Sequence, residues 1–436
     1  MRRSIIVPRR LSSPKPQPAR RSTPALARTR VSAIEGPVAI VSRRAADRLR
    51  AGHLWVYRSD IEQIEQIVPG DSGLVAVADD RGLPLGTALW SPHSQIALRL
   101  ISTGLVADHD AWLALLDERL QTALALREGM LDETSDACRL VFSEADQLPG
   151  IIVDRYGDLV LLEILTKALD REDTRATIVR ALRAGLDPST VVERADPRIQ
   201  ELEQLSPPGD GLLYSKEPFP QLAAIFHLNG LAFHYDARAG QKTGAFLDQR
   251  LNYAAAERHA HGEALDVCTY QGGFALHLAR TCSQVTGVDA SRAALEVAEE
   301  NLAVNRHRIS GGVEWMEANA FDLLRDWSSA GKTFDTIVLD PPAFAKSKRA
   351  VEGALRGYKE LNLRALKMLR PNGILVTCSC SHHISRGEFE GVVAGAAGDA
   401  RRRLRILERR GASPDHPAIL NIPETEYLKC LILTAE

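Results

Sequence analysis

A chain of 436 residues with 45% hydrophobic and 25% charged content is too long for one core at roughly 100 to 200 residues per domain, so two or three domains are expected. The net charge of -2 conceals an uneven distribution: residues 1–34 hold nine Lys or Arg and no Asp or Glu, leaving 45 basic against 56 acidic residues beyond them. An acidic body argues against nucleic-acid binding through bulk charge and leaves that role to a local basic patch.

The six cysteines are scattered and show no paired CxxC spacing. They argue against a disulfide framework or a zinc site, so no metal is expected and the compartment is read as reducing and cytoplasmic. No apolar run approaches the roughly 20 residues that span a bilayer, so no membrane association is expected.

In chain order, residues 1–36 read as a disordered basic tail, although an organelle transit peptide shares that composition. Residues 37–106 read as a small strand-rich domain. VAIVSRRAADRLRAGHLWVYRSDIEQI supplies a strand, a basic helix and an aromatic-bearing turn, and GLVAVADDRGLPLGTALWSPHSQIALRLIS supplies three short strands. Residues 107–225 read as a compact α+β domain. It opens with the helix DHDAWLALLDERLQTALALREGM and continues through the strands of RLVFSEADQLPGIIVDRYGDLVLLEIL, a helix near Arg171 to Ala184 and a strand at Thr190 to Glu193. The third domain, residues 226–436, alternates strand and helix from Glu263. Its strands are ALDVC, QVTGVD, VEWMEA, TIVLD and GILVTCSC, and its helices run from Gly273 to Arg280, Ser291 to Asn305, Phe321 to Trp327 and Tyr358 to Leu369. That order predicts an α/β, Rossmann-like doubly wound sheet.

Ligands of such sheets sit at the carboxyl ends of the strands, near the topological switch point. The first strand is followed by Thr269-Tyr270-Gln271-Gly272-Gly273-Phe274, whose glycines let backbone approach a ligand at a helix N-terminus; the GxGxxG of a dinucleotide site is absent. The second strand ends at Asp289, placed to accept hydrogen bonds from a ribose diol, the reading favoured with the glycines over that of a charge beside a helix N-cap at Ser291. The third delivers Asn319, Ala320 and Phe321; the Asn319 amide oxygen could accept from an adenine amino group, and Phe321 reads as core. The fourth ends in Asp340-Pro341-Pro342, where two prolines hold the Asp340 carboxylate stiffly at the cleft. The combination points to a class I methyltransferase that uses S-adenosylmethionine.

The strand Ile374 to Ser381 carries Cys378 and Cys380. Alternation puts both on one face, and Cys380 is nearer the cleft. Methylating carbon 5 of a pyrimidine needs a thiolate on carbon 6, because carbon 5 alone is a weak nucleophile. Cys380 is the candidate, with Cys378 read as a buried packing residue.

The segments DVCTYQGGF, VLDPPAFAKSK, RGYKELNLRAL and GILVTCSCS, preceded by KTGAFLDQRLN at 242–252, resemble the bacterial large-subunit ribosomal RNA cytosine-5 methyltransferases. These are built from a PUA domain, a small central domain and a Rossmann-like catalytic domain. The likeness runs from residue 37 to 436 and includes GHLWVYRSDI and SEADQLPGIIVDRYGD. It implies that Cys380 is the nucleophile and Asp340 the active-site acid. It also implies that Gln249 and Arg250 lie near the methionine end of the cofactor, and that 37–106 is an RNA-binding PUA-like domain contacting RNA through Arg43, Arg44, Arg48, Arg50 and Arg58. The partner implied is large-subunit ribosomal RNA, with a homodimer as one option. No cysteine follows Pro341, which leaves the thiol to the Thr-Cys-Ser-Cys-Ser strand. Two departures from the family pattern are Cys378, where an aromatic is common, and Asn319, where an acid is expected. Two other readings of the chain are a base-nitrogen RNA methyltransferase without a covalent intermediate, and an RNA-binding assembly factor that binds the cofactor without turnover.

Overall fold

A computed structural model describes residues 36–68, 70–238, 245–345 and 347–436. The expected basic tail, apart from Gly36, and residues Lys242, Thr243 and Gly244 of the KTGAFLDQRLN segment lie outside the described residues.

Among the described residues the chain builds four sheets. The first comprises β1 (Val38–Val41), β2 (Trp55–Tyr57), β3 (Ile61–Glu65), β4 (Gly73–Ala78), β5 (Pro84–Trp90) and β6 (Ile96–Ser102), in the order β2-β6-β5-β4-β1-β3. Helix α1 (Arg43–Arg50) follows β1. Ser42 starts it by accepting from the Ala45 amide at 3.3 Å, and Ala45, Ala46 and Leu49 go into the domain core. The aromatic stretch read as a turn is β2, paired antiparallel with β6; three residues are too few for alternation to announce a strand.

The central unit follows as α2 (His109–Arg127), β7 (Ala137–Phe142), β8 (Ile151–Tyr156), β9 (Leu159–Ile164), α3 (Glu172–Leu186), β10 (Thr190–Glu193), α4 (Pro197–Glu203) and β11 (Leu212–Ser215), with strands in the order β11-β10-β9-β8-β7. Trp112, Leu116, Leu120, Ile178 and Leu182 of α2 and α3 cover one face of this sheet. The other face receives the hairpin β12 (Ala223–Leu228) and β13 (Leu231–Asp236). There Tyr156 stacks on Tyr235 with centroids 4.2 Å apart and meets Phe226 edge-on at 5.0 Å. Residue 226, where the sequence alone puts the start of the third domain, therefore lies inside β12. One apolar cluster runs from Tyr156 and Leu159 through Phe226 and Phe233 to Tyr253 and Phe274, so packing leaves no seam at that position.

The third unit comprises α5 (Arg250–His259), β14 (Glu263–Val267), α6 (Gly273–Leu278), β15 (Gln284–Asp289), α7 (Arg292–Asn305), β16 (Gly312–Glu317), α8 (Ala320–Ser329), β17 (Phe334–Leu339), α9 (Val351–Met368), β18 (Leu369–Ser379), α10 (Arg386–Asp399), β19 (Leu404–Arg410) and β20 (Lys429–Ala435). Its sheet has the order β16-β15-β14-β17-β18-β20-β19. The first five of these strands pair in parallel, and β20 runs antiparallel between β18 and β19. The expected doubly wound α/β sheet is present. Sequence patterning reached none of α10, β19 and β20. Helix α10 contains Gly387, Gly391, Gly395 and Gly398, which weaken its intrinsic signal. It forms on a capping box between Ser385 and Glu388 and by burying Phe389, Val393 and Ala396.

The chain lays β15 and β16 outward on one side of β14, then returns to place β17 on the other side. That reversal makes the carboxyl ends of β14 and β17 the switch point where a ligand cleft is expected.

Candidate active site

A cavity of about 420 Å³ opens at that switch point. The residues after β14 contribute Thr269, Tyr270 and Phe274, the end of β15 contributes Asp289, the turn after β16 contributes Asn319 and Ala320, the end of β17 contributes Asp340, and the end of β18 contributes Cys380. Eight of the expected site residues thus line one space although they span more than a hundred positions of sequence.

The loop after β14 is held by an acid that sequence reading passed over. Asp266 is fully buried, and its Oδ2 accepts from Thr269 Oγ1 at 2.5 Å and from the Ala275 amide at 2.9 Å. Burial pushes its pKa up to about 7. The signal was available in the sequence: a carboxylate at the centre of an apolar strand needs partners. Cys268 and Tyr270 take left-handed backbone conformations, with φ of 64° and 52°, a strain of roughly 1–3 kcal/mol each of the kind that clusters at ligand sites. This twist turns the Tyr270 amide toward Asp289 Oδ2, which accepts from it at 2.9 Å.

The paired glycines divide their work. Gly272 caps α6 at φ 85° and is not in the cavity wall. Gly273 lines the cavity, and a Cβ there would come within 2.6 Å of the Tyr253 ring, so its bareness serves the packing of α6 on α5.

Asp289 lines the cavity while its Oδ1 accepts from the Ser291 amide at 2.8 Å, beside the start of α7. Asn319 departs from expectation in one respect. Its Oδ1 accepts from the amides of Phe321 and Asp322 at 3.0 and 3.3 Å and so caps α8. The amide oxygen expected to receive an adenine amino group is occupied by the helix, and the NH2 is the group left to face a ligand. Phe321, read as core, is partly buried in the second apolar cluster and also forms cavity wall.

Asp340 is half-buried at the cavity, and Gln249 Nε2 donates to its Oδ2 at 3.0 Å. Burial, reinforced by the carboxylates of Asp248 and Asp266, pushes its pKa up to about 8, against the lowering effect of the Gln249 amide. Cys380 is partly exposed and lies across the same cavity, with Sγ 3.9 Å from the Pro341 carbonyl oxygen. Cys378, one full alternation back, is fully buried, faces Cys430 across the β18–β20 ladder and has its thiol pushed well up by burial. It does not line the cavity.

The structure separates Gln249 from its neighbour. Gln249 reaches Asp340, whereas the Arg250 guanidinium turns away toward the central unit and donates to Met130 O at 3.2 Å and Asp415 Oδ1 at 3.1 Å. Asp415 Oδ2 also accepts from the Arg139 amide at 2.9 Å, so this buried cluster joins the central and third units instead of touching the cavity.

The expected arginine patch on the first domain is largely neutralised. Arg48 pairs with Asp60 at 2.6 Å, Arg50 with Asp79, and Arg43 with Asp47 at 3.9 Å, while Arg58 donates to backbone carbonyls of Pro92 and Ser94. Arg44 is exposed. The spacing of Arg43, Arg44, Arg48 and Arg50 on α1 was visible in the sequence; Asp60 and Asp79, which meet Arg48 and Arg50, come from outside that helix. Among the described residues no group of three or more His, Cys, Asp or Glu is arranged to hold a metal ion, and no helix is long and apolar enough to cross a membrane.

Comparison with known proteins agrees with this architecture. Residues 39–103 match a PUA-like domain family, and residues 199–433 match a family of S-adenosylmethionine-dependent methyltransferases. Among curated relatives, the ribosomal RNA large subunit methyltransferase I of Shewanella denitrificans is 38% identical over 387 residues, covering 88% of this chain and 96% of that protein. The protein of the same name from Tolumonas auensis is 37% identical over 386 residues, covering 88% of this chain and 95% of that protein. Among solved structures, SMU.776, described as a methyltransferase complexed with SAH, superposes with a TM-score of 0.76 at 21% identity over 91% of this chain and 99% of that one, which shows the shared fold. The chain belongs to the ribosomal RNA large subunit methyltransferase I family, with a PUA-like domain ahead of a methyltransferase domain whose cofactor is S-adenosylmethionine.

Proposed function

We propose that the protein forms 5-methylcytosine in large-subunit ribosomal RNA in the cytoplasm through a covalent adduct on Cys380. The observation that carries this reading is that Cys380 and Asp340, from neighbouring strands, face one cavity. The residues present suit the cofactor. Asp289 offers a carboxylate to the ribose hydroxyls, Ala320 and Phe321 offer an apolar edge to the adenine, and Asp266 Oδ1 is a buried oxygen without a hydrogen-bond partner beneath the loop of Thr269, Tyr270 and Phe274. When bound, S-adenosylmethionine supplies an electrophilic methyl group.

The chain's own residues prepare the base. A carboxyl with a pKa near 8 is mostly protonated at neutral pH, so Asp340 can donate a hydrogen bond to ring nitrogen 3 of cytosine, as a neutral acid does in an apolar site. Drawing electron density to that nitrogen favours addition of the Cys380 thiolate to carbon 6. The electron pair of the carbon 5–carbon 6 bond then becomes available at carbon 5 for methylation. Loss of the carbon 5 proton and departure of the thiolate restore the aromatic ring and the enzyme. The base must be unpaired or flipped to enter a cavity of this size.

Incubating the wild type, Cys380→Ala and Cys378→Ala with labelled cofactor and undermethylated ribosomal RNA, followed by mass analysis of nucleosides, tests the proposal. Wild type and Cys378→Ala are expected to form 5-methylcytosine and Cys380→Ala to form none. Full activity in Cys380→Ala, or a methyl group on a ring nitrogen, would overturn it.

A further inference from the structure

Lys429 opens β20 and is 1% exposed, an unusual place for an ammonium group. Its Cα pairs with Ser379, the last residue of β18, so it sits beside the point where that strand delivers Cys380. Nζ donates to the carbonyl of Ser381 at 2.8 Å and to that of Tyr427 at 2.7 Å. These bonds tie the exit of β18 to the entry of β20 and fix the charge one residue from the thiol.

The acids that could neutralise Lys429 are engaged elsewhere. Glu426 pairs with Arg386 at 2.8 Å, and Glu388 is held by Ser385 in the capping box of α10. Burying a cation against neutral carbonyls alone is unfavourable, a penalty that a purely structural staple could avoid with an uncharged side chain. An anion forming beside the ammonium would offset it, and the Cys380 sulfur is the group that most favours the charged lysine.

We propose that Lys429 is a positioning residue whose buried ammonium, held beside the end of β18, favours the thiolate of Cys380 in the resting enzyme. The inference rests on the reading of Cys380 as nucleophile. The surrounding groups are consistent with it. Burial lowers the Lys429 pKa to about 8; Glu426 and Glu388 act to keep its charge and Arg386 acts against it. The nearby tyrosines add no competing charge: the Tyr427 hydroxyl donates to Asp248 Oδ2 and the Tyr358 hydroxyl meets Ser381 Oγ, and burial pushes both pKa values up. Asp340, across the cavity, is mostly neutral at pH 7 and so does not repel a thiolate. Because the interaction is mutual, whatever the thiolate does for the lysine charge the lysine does for the thiolate.

The test measures the pH dependence of Cys380 alkylation by iodoacetamide, located by peptide mass mapping, in the full-length wild type, Lys429→Met and Lys429→Arg. The wild-type midpoint is expected below the ~8.5 of an ordinary thiol. Lys429→Met is expected to raise it by about one unit, slowing alkylation at pH 7 roughly tenfold, and Lys429→Arg to keep it low. An unchanged midpoint in a folded Lys429→Met protein overturns the proposal. Should that variant fail to fold, a wild-type midpoint at or above 8.5 overturns it equally. Methyl transfer by Cys380→Ala separates the two readings: activity there refutes the nucleophile even if the thiol midpoint is low, whereas an inactive Cys380→Ala with an ordinary thiol midpoint refutes the role of Lys429 alone.

Discussion

Gln249 Nε2 donates to Asp340 Oδ2 at 3.0 Å, and Asn252 fixes the other end of the same amide by donating to Gln249 Oε1 at 2.6 Å. The glutamine cannot turn its oxygen toward the acid without losing Asn252. Asp340 therefore has a permanent donor at one oxygen and keeps the other for the cavity.

The raised pKa of Asp340 makes stability depend on pH in a definite direction. The unfolded carboxyl ionises near 3.8 and the folded one near 8, so between these values the unfolded chain has released a proton that the folded chain retains. The contribution of this carboxyl to stability is fully present below about pH 3.8 and is lost as pH rises toward 8. Asp340→Asn removes this titration. In the cofactor-free protein it should raise stability by about 1–3 kcal/mol at pH 8, with the gain shrinking toward pH 4, while abolishing methyl transfer. Urea midpoints at the two pH values check this; an equal gain at both would contradict the assignment.

Gln249→Leu should move the pH–rate profile. With the donor gone the Asp340 pKa rises, so an activity that needs the neutral acid persists to higher pH and its alkaline fall shifts upward. The rate below that fall should drop roughly 2- to 10-fold, the worth of a hydrogen bond between neutral groups. A fall that shifts to lower pH would show that the ionised acid is the working form.

Arg250 and Asp415 form an interdomain pair, 5% and 0% exposed at their side chains. Burial opposes the Asp415 charge, but His416, Arg250 and the Arg139 amide together hold its pKa below the ordinary range. Arg250→Met should cost about 3–5 kcal/mol because it leaves a buried carboxylate short of its partner. Cofactor affinity measured by calorimetry should change less than about threefold, under 1 kcal/mol. A tenfold loss of affinity at unchanged stability would instead return Arg250 to the cofactor site.

Asn319→Asp keeps an oxygen on the α8 cap and adds a negative charge at a helix N-terminus, which favours it. It also converts the edge facing the cavity from donor to acceptor. If the adenine amino group lies there, the cofactor should bind about 3- to 10-fold more tightly, the gain of one modest hydrogen bond. Asn319→Ala should lose about 1 kcal/mol of stability with the cap. Tighter binding by Asn319→Ala than by Asn319→Asp would refute the arrangement.

The alternating strands and helices from Glu263 onward were legible because period-two and period-3.6 patterns are local properties of a chain. So were the strand-end residues Asp289, Asp340 and Cys380, since the switch-point rule turns their place in the sequence into a place in the cleft. The second half of β18 was harder. Alternation put Cys378 and Cys380 on one face, but only the antiparallel neighbour β20, absent from the sequence reading, buries the first against Cys430 while the second emerges at the cavity.

By itself the sequence determined the order of elements, the glycine loop and the acids at the strand ends, all set by side-chain periodicity and backbone stereochemistry within short segments. Tertiary structure alone decided which polar groups share a burial site. Adjacent residues such as Gln249 and Arg250 part company because a helix start sends them to opposite sides, one to Asp340 and the other to Asp415. Lys429 meets the end of β18 because a strand from the far end of the chain pairs there. Electrostatic fields act through space and not along the backbone, so the pKa of Asp340 and the charge beside Cys380 become defined only when the sheet closes.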